Sequence, residues 1–258
     1  MTFDTIRYDL AEDIAVITLD RPEVMNALTR ALRAEVLQAV QMAAKEARVL
    51  VITGAGRAFC SGQDLQDASA QGQLDLEKTL NEEYVPLLKA ITDCPIPTIA
   101  AVNGTAAGAG ANLALAADVV IAAETASFIQ AFTRIGLVPD AGGSYWLPRQ
   151  IGLARAMGAV LFADKITARQ AADWGMIYEA VPDLGFAAHW QARAAHLAKG
   201  PTAAYRGVKQ ALRQSFDNDF DSQLALEARL QGLCGQTEDF REGVSAFLQK
   251  RSAMFTGR

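Results

Sequence analysis

An unbroken apolar run, Val49-Leu50-Val51-Ile52, is closed at once by Gly54 and Gly56. A strand without a polar face is covered on both sides, the condition found inside parallel sheets layered with helices. The pattern returns at Thr98 to Val102. It is followed by Asn103-Gly104, a Gly/Ala-rich helical stretch from about Gly108 to Ala117, and a further strand from Asp118 to Ala122. Ahead of both runs, Ile6 and Tyr8, then Ile14, Val16 and Thr18, alternate about a Glu12-Asp13 turn, which predicts a hairpin. Leu28, Leu32, Val36, Val40 and Ala43 recur at helical spacing, with Thr29 placed to cap. From Trp146 onward strand signals stop and helical patterns take over, ending in a helix with Phe240, Val244, Phe247 and Leu248 on one face. The expectation is an α/β N-terminal two-thirds and a helical final third. The polar stretch from Asp67 to Glu82 reads as a mobile loop leading into a helix, a place for a lid.

Composition narrows the function. A chain of 258 residues buries roughly 70–75% of its unfolded surface and needs no disulfide or metal staple. With Lys plus Arg at 24 against 29 acidic residues, net charge −5, it is a poor candidate for tracking nucleic-acid phosphates. Cys60, Cys94 and Cys234 are odd in number and lack C-x-x-C spacing, so they read as reduced thiols of a cytoplasmic protein. Met1 to Leu10 carries no export-signal pattern. The apolar stretches are too short to span a bilayer. His189 and His196 are the only histidines, which excludes histidine-rich zinc sites; they share a helical face and read as solvated or packed.

Three segments hold more glycine and more awkward turns than packing requires: Gly54 to Leu65, Asn103 to Asn112, and Ile135 to Ser144. In the second, Gly108-Ala109-Gly110 opens a helix, so its first N–H groups are unpaired and the helix dipole favours negative charge there. The small residues serve equally to let the helix pack closely on a sheet. In the first, Ser61-Gly62-Gln63-Asp64 can present another free N–H. Two such donors converging from separate strand ends would make an oxyanion hole. Ser61 stands outside a G-x-S-x-G elbow and no histidine lies in the α/β part, which argues against a hydrolase triad. Cys60 reads as packed. In the third, Asp140 follows Pro139 and precedes Ala141-Gly142-Gly143, ordinarily the place of a turn or cap residue. Its alternative is a carboxylate at the rim of an apolar pocket of Phe132, Leu137, Val138 and Trp146, where desolvation raises its basicity.

At these segments the sequence resembles the crotonase (enoyl-CoA hydratase/isomerase) family, from about residue 3 to the C-terminus. The resemblance is carried by Arg21-Pro22 with Asn26-Ala27-Leu28, by Gly56-Arg-Ala-Phe-Cys-Ser-Gly-Gln-Asp-Leu65, by Asn103-Gly104 with its small-residue helix, and by Gly136-Leu-Val-Pro-Asp-Ala-Gly-Gly143. Within the family it looks most like the branch that isomerises the ring epoxide of phenylacetyl-CoA; Ala107 to Ala111, Trp174-Gly-Met-Ile177 and the ending from Arg241 point there. The resemblance implies a spiral of ββα repeats over residues 1–200 and a helical trimerisation region over 201–258. It also implies a homotrimer or dimer of trimers, an acyl-CoA thioester as substrate, and no metal or redox cofactor. By motif position, the Gln63 and Ala109 amides would hold the thioester oxygen. Met25, Ala27, Ser61, Asp64 and Leu65 would line the CoA arm, and Gly108, Asn112, Phe132 and Pro139 would also belong to the substrate- and CoA-binding residues. Hydratases of the family use two glutamates, at the positions of Asn112 and Phe132 here; Asp140 holds the acid/base position of the isomerase branch. One carboxylate with an oxyanion hole suits moving a proton, with Asn112 expected to hydrogen-bond a substrate oxygen. The expected activity is an acyl-CoA isomerase that forms an oxepin from the epoxide, or shifts a double bond in a simple 3-enoyl-CoA. An enoyl-CoA hydratase is the alternative, and a non-catalytic CoA-ester- or RNA-binding scaffold a further one.

Overall fold

The computed structural model describes residues 3–70 and 75–257. The hairpin forms: β1 (Ile6–Ala11) pairs antiparallel with β2 (Ile14–Leu19), and Glu12 and Asp13 turn the chain with φ of 51° and 62°. The fully buried face of β2 is Ala15, Ile17 and Leu19, out of phase with the alternation read from sequence. Ile14 and Val16 are partly covered because a helix, α8 (Phe186–Ala198), packs on the other side. α1 (Arg30–Glu46) follows, capped by Thr29, whose hydroxyl accepts from Leu32 N at 3.2 Å, and buries Leu32, Val36, Ala39, Val40 and Ala43.

The apolar run becomes β3 (Val49–Gly54), with Val49 to Ile52 all buried. With β2, β5 (Thr98–Val102), β7 (Val119–Ala123) and β10 (Glu179–Val181), it builds a parallel sheet that β1 completes at one edge. After each of β3, β5 and β7 the chain makes a second, three-residue strand: β4 (Ala58–Cys60), β6 (Thr105–Ala107) and β8 (Ser127–Ile129). These are parallel neighbours in a separate four-stranded sheet, closed by the antiparallel β9 (Ile166–Thr167). Helical segments follow each pair: α2 (Leu65–Ala70), α3 (Leu76–Thr79) and α4 (Val85–Thr92) after β4, α5 (Ala109–Leu115) after β6, and α6 (Gly143–Phe162), broken at Gly152, after β8. Each turn of ββα adds one strand to both sheets, which makes the fold a spiral. α7 (Ala168–Asp173) lies between β9 and β10, and α9 (Thr202–Gln214), α10 (Phe220–Cys234) and α11 (Glu238–Gln249) end the chain.

Two expectations are corrected. Strands do not stop at Trp146, since β9 and β10 lie beyond it; two or three residues are too few to show alternation. The stretch from 67 to 82 is helical at both ends. Asp64 accepts from Gln66 N and Asp67 N to start α2, and Asp75 accepts from Lys78 N at 2.9 Å to start α3. The remainder of the expected loop, residues 71–74, lies outside the described residues.

The helical third is tied to the core through Arg48, which donates to Gly200 O, Thr202 Oγ1 and Phe255 O. Asp239, buried at the start of α11, accepts from the amides of Thr256 and Gly257 at 2.7 and 2.9 Å. Phe240, Val244, Phe247 and Leu248 share a face of α11, and that face looks outward, with Phe247 81% and Leu248 74% exposed. Among the described residues no helix is long and apolar enough to cross a membrane.

Candidate active site

β4, β6 and β8 are parallel neighbours, so the segments leaving their C-terminal ends emerge along one rim of the small sheet. Those segments are Ser61-Gly62-Gln63, Gly108-Ala109 and Gln130-Ala131-Phe132. Topology brings to one place residues that the sequence separates by 20 or more positions.

Leu28 fixes the first segment: its N–H donates to Gly62 O at 2.8 Å and its carbonyl accepts from Asp64 N at 3.2 Å. In such a parallel bridge the residue between, Gln63, turns its own N–H to the opposite side. That side faces α5. Gly62 has φ +93°, and a Cβ on it would stand 2.8 Å from Ala107 O and 3.5 Å from Ala109 N, so a side chain there would push the two segments apart. Gly108 is fixed by donating to Ile129 O at 2.8 Å, and Ala109 N–H opens the first turn of α5. Among the described residues neither the Gln63 nor the Ala109 amide donates to a protein acceptor. Phe132, buried on the turn after β8, puts its ring tip against Gly108, 3.8 Å from where a Cβ would be.

Asp140 stands on a turn closed by Gly143 N donating to its carbonyl at 2.9 Å, with Ala141 and Gly142 at φ 48° and 84°. Its Oδ1 is buried without a hydrogen-bond partner. Desolvation pushes the carboxyl up to about pKa 6. Of the apolar rim expected around it, Phe132 is buried and Leu137, Trp146 and Pro139 half-buried, whereas Val138 points to solvent. Asn112 differs from expectation. It is 0% exposed, its Nδ2 donates to Asp140 O at 2.8 Å and its Oδ1 accepts from Gln130 Nε2 at 2.9 Å, so both polar atoms are engaged within the protein.

A buried network backs the Gln63 side. Arg33, 3% exposed, donates to Leu28 O at 2.7 Å and to Gln63 Oε1 at 2.9 Å, pairs with Glu83, and lies over the Tyr84 ring. Tyr84 Oη donates to the same Gln63 Oε1. Burial raises the Tyr84 hydroxyl; the Arg33 charge opposes that and the Asp140 charge adds to it. Glu83 and Tyr84 reach it from a π-helical turn, Leu80–Tyr84. Sequence reading missed Arg33, Glu83, Tyr84 and Gln130. A charged residue at 33, on the buried stripe of α1, was the signal for the first.

The segment from Arg21 to Leu28 packs against these loops. Asn26, fully buried at φ +56°, donates to Ala55 O and Ala58 O, both at 2.9 Å, and accepts from Arg21 N. Met25 is exposed and its carbonyl accepts from Ser61 N; Ala27 is buried and its carbonyl accepts from Arg21 Nη1. Leu65 is exposed at the start of α2. The Asp64 carboxylate is occupied: burial opposes its ionisation, but the Asp67 amide, Arg21 at 2.9 Å and the Gln66 amide hold it below its ordinary range. Burial pushes the Cys60 thiol up to about 12, unsuited to a nucleophile. His189 pairs with Glu179 at 2.7 Å, and His196 is exposed. A cleft of about 770 Å³ opens beyond Gly142 and Trp146, between α4 and α9. Its Lys209 and Arg213 are held by Asp118 at 2.6 and 2.8 Å and act as braces.

Comparison with known proteins agrees with this geometry. The family model for enoyl-CoA hydratase/isomerase matches residues 9–258. A Rhodobacter capsulatus protein named "Probable enoyl-CoA hydratase" is 65% identical over 258 residues, covering 100% of both chains. The 1,2-epoxyphenylacetyl-CoA isomerase of Escherichia coli is 44% identical over 250 residues, covering 95% of each. A crystal structure from Mycobacterium abscessus, described as an enoyl-CoA hydratase/isomerase, matches with TM-score 0.93 at 39% identity, covering 98% of this chain and 100% of that one. The chain therefore belongs to the enoyl-CoA hydratase/isomerase family, the crotonases, enzymes of acyl-CoA thioesters.

Proposed function

We propose that this crotonase is an acyl-CoA isomerase in which Asp140 is the base. The thioester carbonyl oxygen accepts from the Gln63 and Ala109 amides. The Asp140 carboxylate removes a proton from the carbon beside the thioester, the C–H electron pair forms the enolate, and its negative charge rests on the oxygen held by the two amides. Returning the proton two carbons further along shifts a 3-enoyl double bond to position 2 with no net oxidation. With an epoxide on a phenylacetyl ring, the carbon–carbon bond shared by the two fused rings breaks to give the seven-membered oxepin, and the proton taken beside the thioester returns to a ring carbon. The step balances without a metal or redox cofactor, and coenzyme A arrives as part of the substrate. Met25, Ala27, Ser61 and Leu65 line its arm.

The observation that carries this reading is the buried, unpartnered Oδ1 of Asp140, the one carboxylate oxygen so placed among the described residues; by the resemblance, Asn112 and Phe132 stand where hydratases of the family have glutamates. The E. coli relative at 44% identity supports the epoxide as the natural substrate. A hydratase reading is favoured by the name of the relative at 65% identity. Turnover of crotonyl-CoA, a 3-enoyl-CoA and the phenylacetyl-CoA epoxide, by wild type and Asp140→Asn, separates them. Isomerisation abolished by Asp140→Asn is expected; fast hydration untouched by that change would overturn the proposal, and tight binding without turnover would make the chain a scaffold. In the isomerase reading, residues 1–200 form the catalytic core and 201–258 the trimer contacts.

A further inference from the structure

The carboxyl of Asp140 is aimed through its main chain. Its Oδ1 has no partner, and the turn that carries it holds Ala141 in left-handed backbone, which an L-residue resists. Such a turn persists only where its surroundings over-determine it. Asn112 supplies the restraint. From within α5, the helix that also presents the Ala109 amide, it donates to the Asp140 carbonyl at 2.8 Å. It lies so close under the turn that a Cβ on Gly143 would stand 2.4 Å from its Nδ2. Gln130, 0% exposed, fixes the orientation of that amide by donating to Asn112 Oδ1 at 2.9 Å. The chain Gln130, Asn112, Asp140 thus links the segment after β8, the amide-bearing helix and the base. Only a side chain that both donates and accepts can occupy position 112, because a carboxylate would oppose the Asp140 carbonyl, oxygen to oxygen.

We propose that Asn112 is a positioning residue: it sets the distance between the base on Asp140 and the oxyanion-binding amide on Ala109, with Gln130 holding it in register. The inference rests on the isomerase reading for its kinetic consequence, but its structural content stands apart. Burial alone raises the Asp140 carboxyl; the charged neighbours on the Gln63 side, Arg33 and Glu83, are paired with each other, and Arg33 lies over the Tyr84 ring.

The test compares wild type, Asn112→Ala, Gln130→Met and Asp140→Asn by steady-state kinetics on a 3-enoyl-CoA. In parallel, the aspartate carboxyls are titrated by ¹³C NMR, with Asp140→Asn assigning the signal. Asn112→Ala is expected to lower kcat about 100-fold, the usual scale for a misplaced catalytic group, with KM within about twofold. The Asp140 titration should fall from about 6 toward the ordinary carboxylate range as water reaches the loosened turn. Gln130→Met should move both quantities in the same direction by less, and it answers the question if Asn112→Ala fails to fold. Unchanged kcat and titration would overturn the inference, as would a parallel loss of kcat and KM with the titration still near 6. If Asp140→Asn retains full activity, the isomerase reading fails, while a shifted titration in Asn112→Ala still upholds the restraint.

Discussion

Burial keeps a proton on Asp140 up to about pH 6, and a general base must have lost it. Activity should therefore rise with pH through about 6 and level off above. Asp140→Asn should cost about 10²–10⁴ in kcat, the range of positioned general bases. Stability runs the other way. Between the ordinary carboxylate range and about pH 6 the folded chain holds a proton that the unfolded chain has released, so this group's contribution falls as pH rises through that window. Asp140→Asn removes the penalty and should stabilise the fold above pH 6, on the order of 2 kcal/mol. Calorimetric melting of both proteins at pH 4 and 7.5 checks the sign, with the difference confined to the higher pH. Asp140 was legible in sequence because Pro139 and Ala141-Gly142-Gly143 mark a turn around it. Arg33 was not: its partners Gln63 and Tyr84 lie 30 and 51 positions away, and no local pattern joins them.

The proposed site lies on the rim of the small sheet, whose strands have only two or three residues each. β3, β5 and β7 could be read because each holds four or five consecutive apolar residues, bounded by polar residues or glycine. β4, β6 and β8 have three residues each and show no period of their own. The glycine-rich segments after them were visible, while the reason they meet, parallel pairing of β4 with β6 and β6 with β8, was not. The meeting point tolerates little. Gly62→Ala puts a methyl within 2.8 Å of Ala107 O in a backbone conformation that alanine resists. It should lower kcat by about 10²–10³, the cost of losing one oxyanion donor, with the far-ultraviolet spectrum unchanged. Full activity in that variant would remove Gln63 from the site.

At the scale of the molecule, the described residues leave the apolar face of α11 largely uncovered: Phe240, Val244, Phe247 and Leu248 are all exposed. Their helical spacing was plain in the sequence; their direction was not, since a 3.6-residue period marks a buried face without saying which surface buries it. Light scattering should find an oligomer, and Phe247→Asp with Leu248→Asp should yield a smaller species. What seats that helix is the chain's own end. Removing residues 251–258 would strip Asp239 of both amide donors and Arg48 of the Phe255 carbonyl, leaving a carboxylate stranded in the interior at a cost of about 1–3 kcal/mol. The last few residues therefore work as a hasp. A shortened protein should keep its sheets and its amide-lined rim, yet leave α11 and its outward apolar face without a fixed seat.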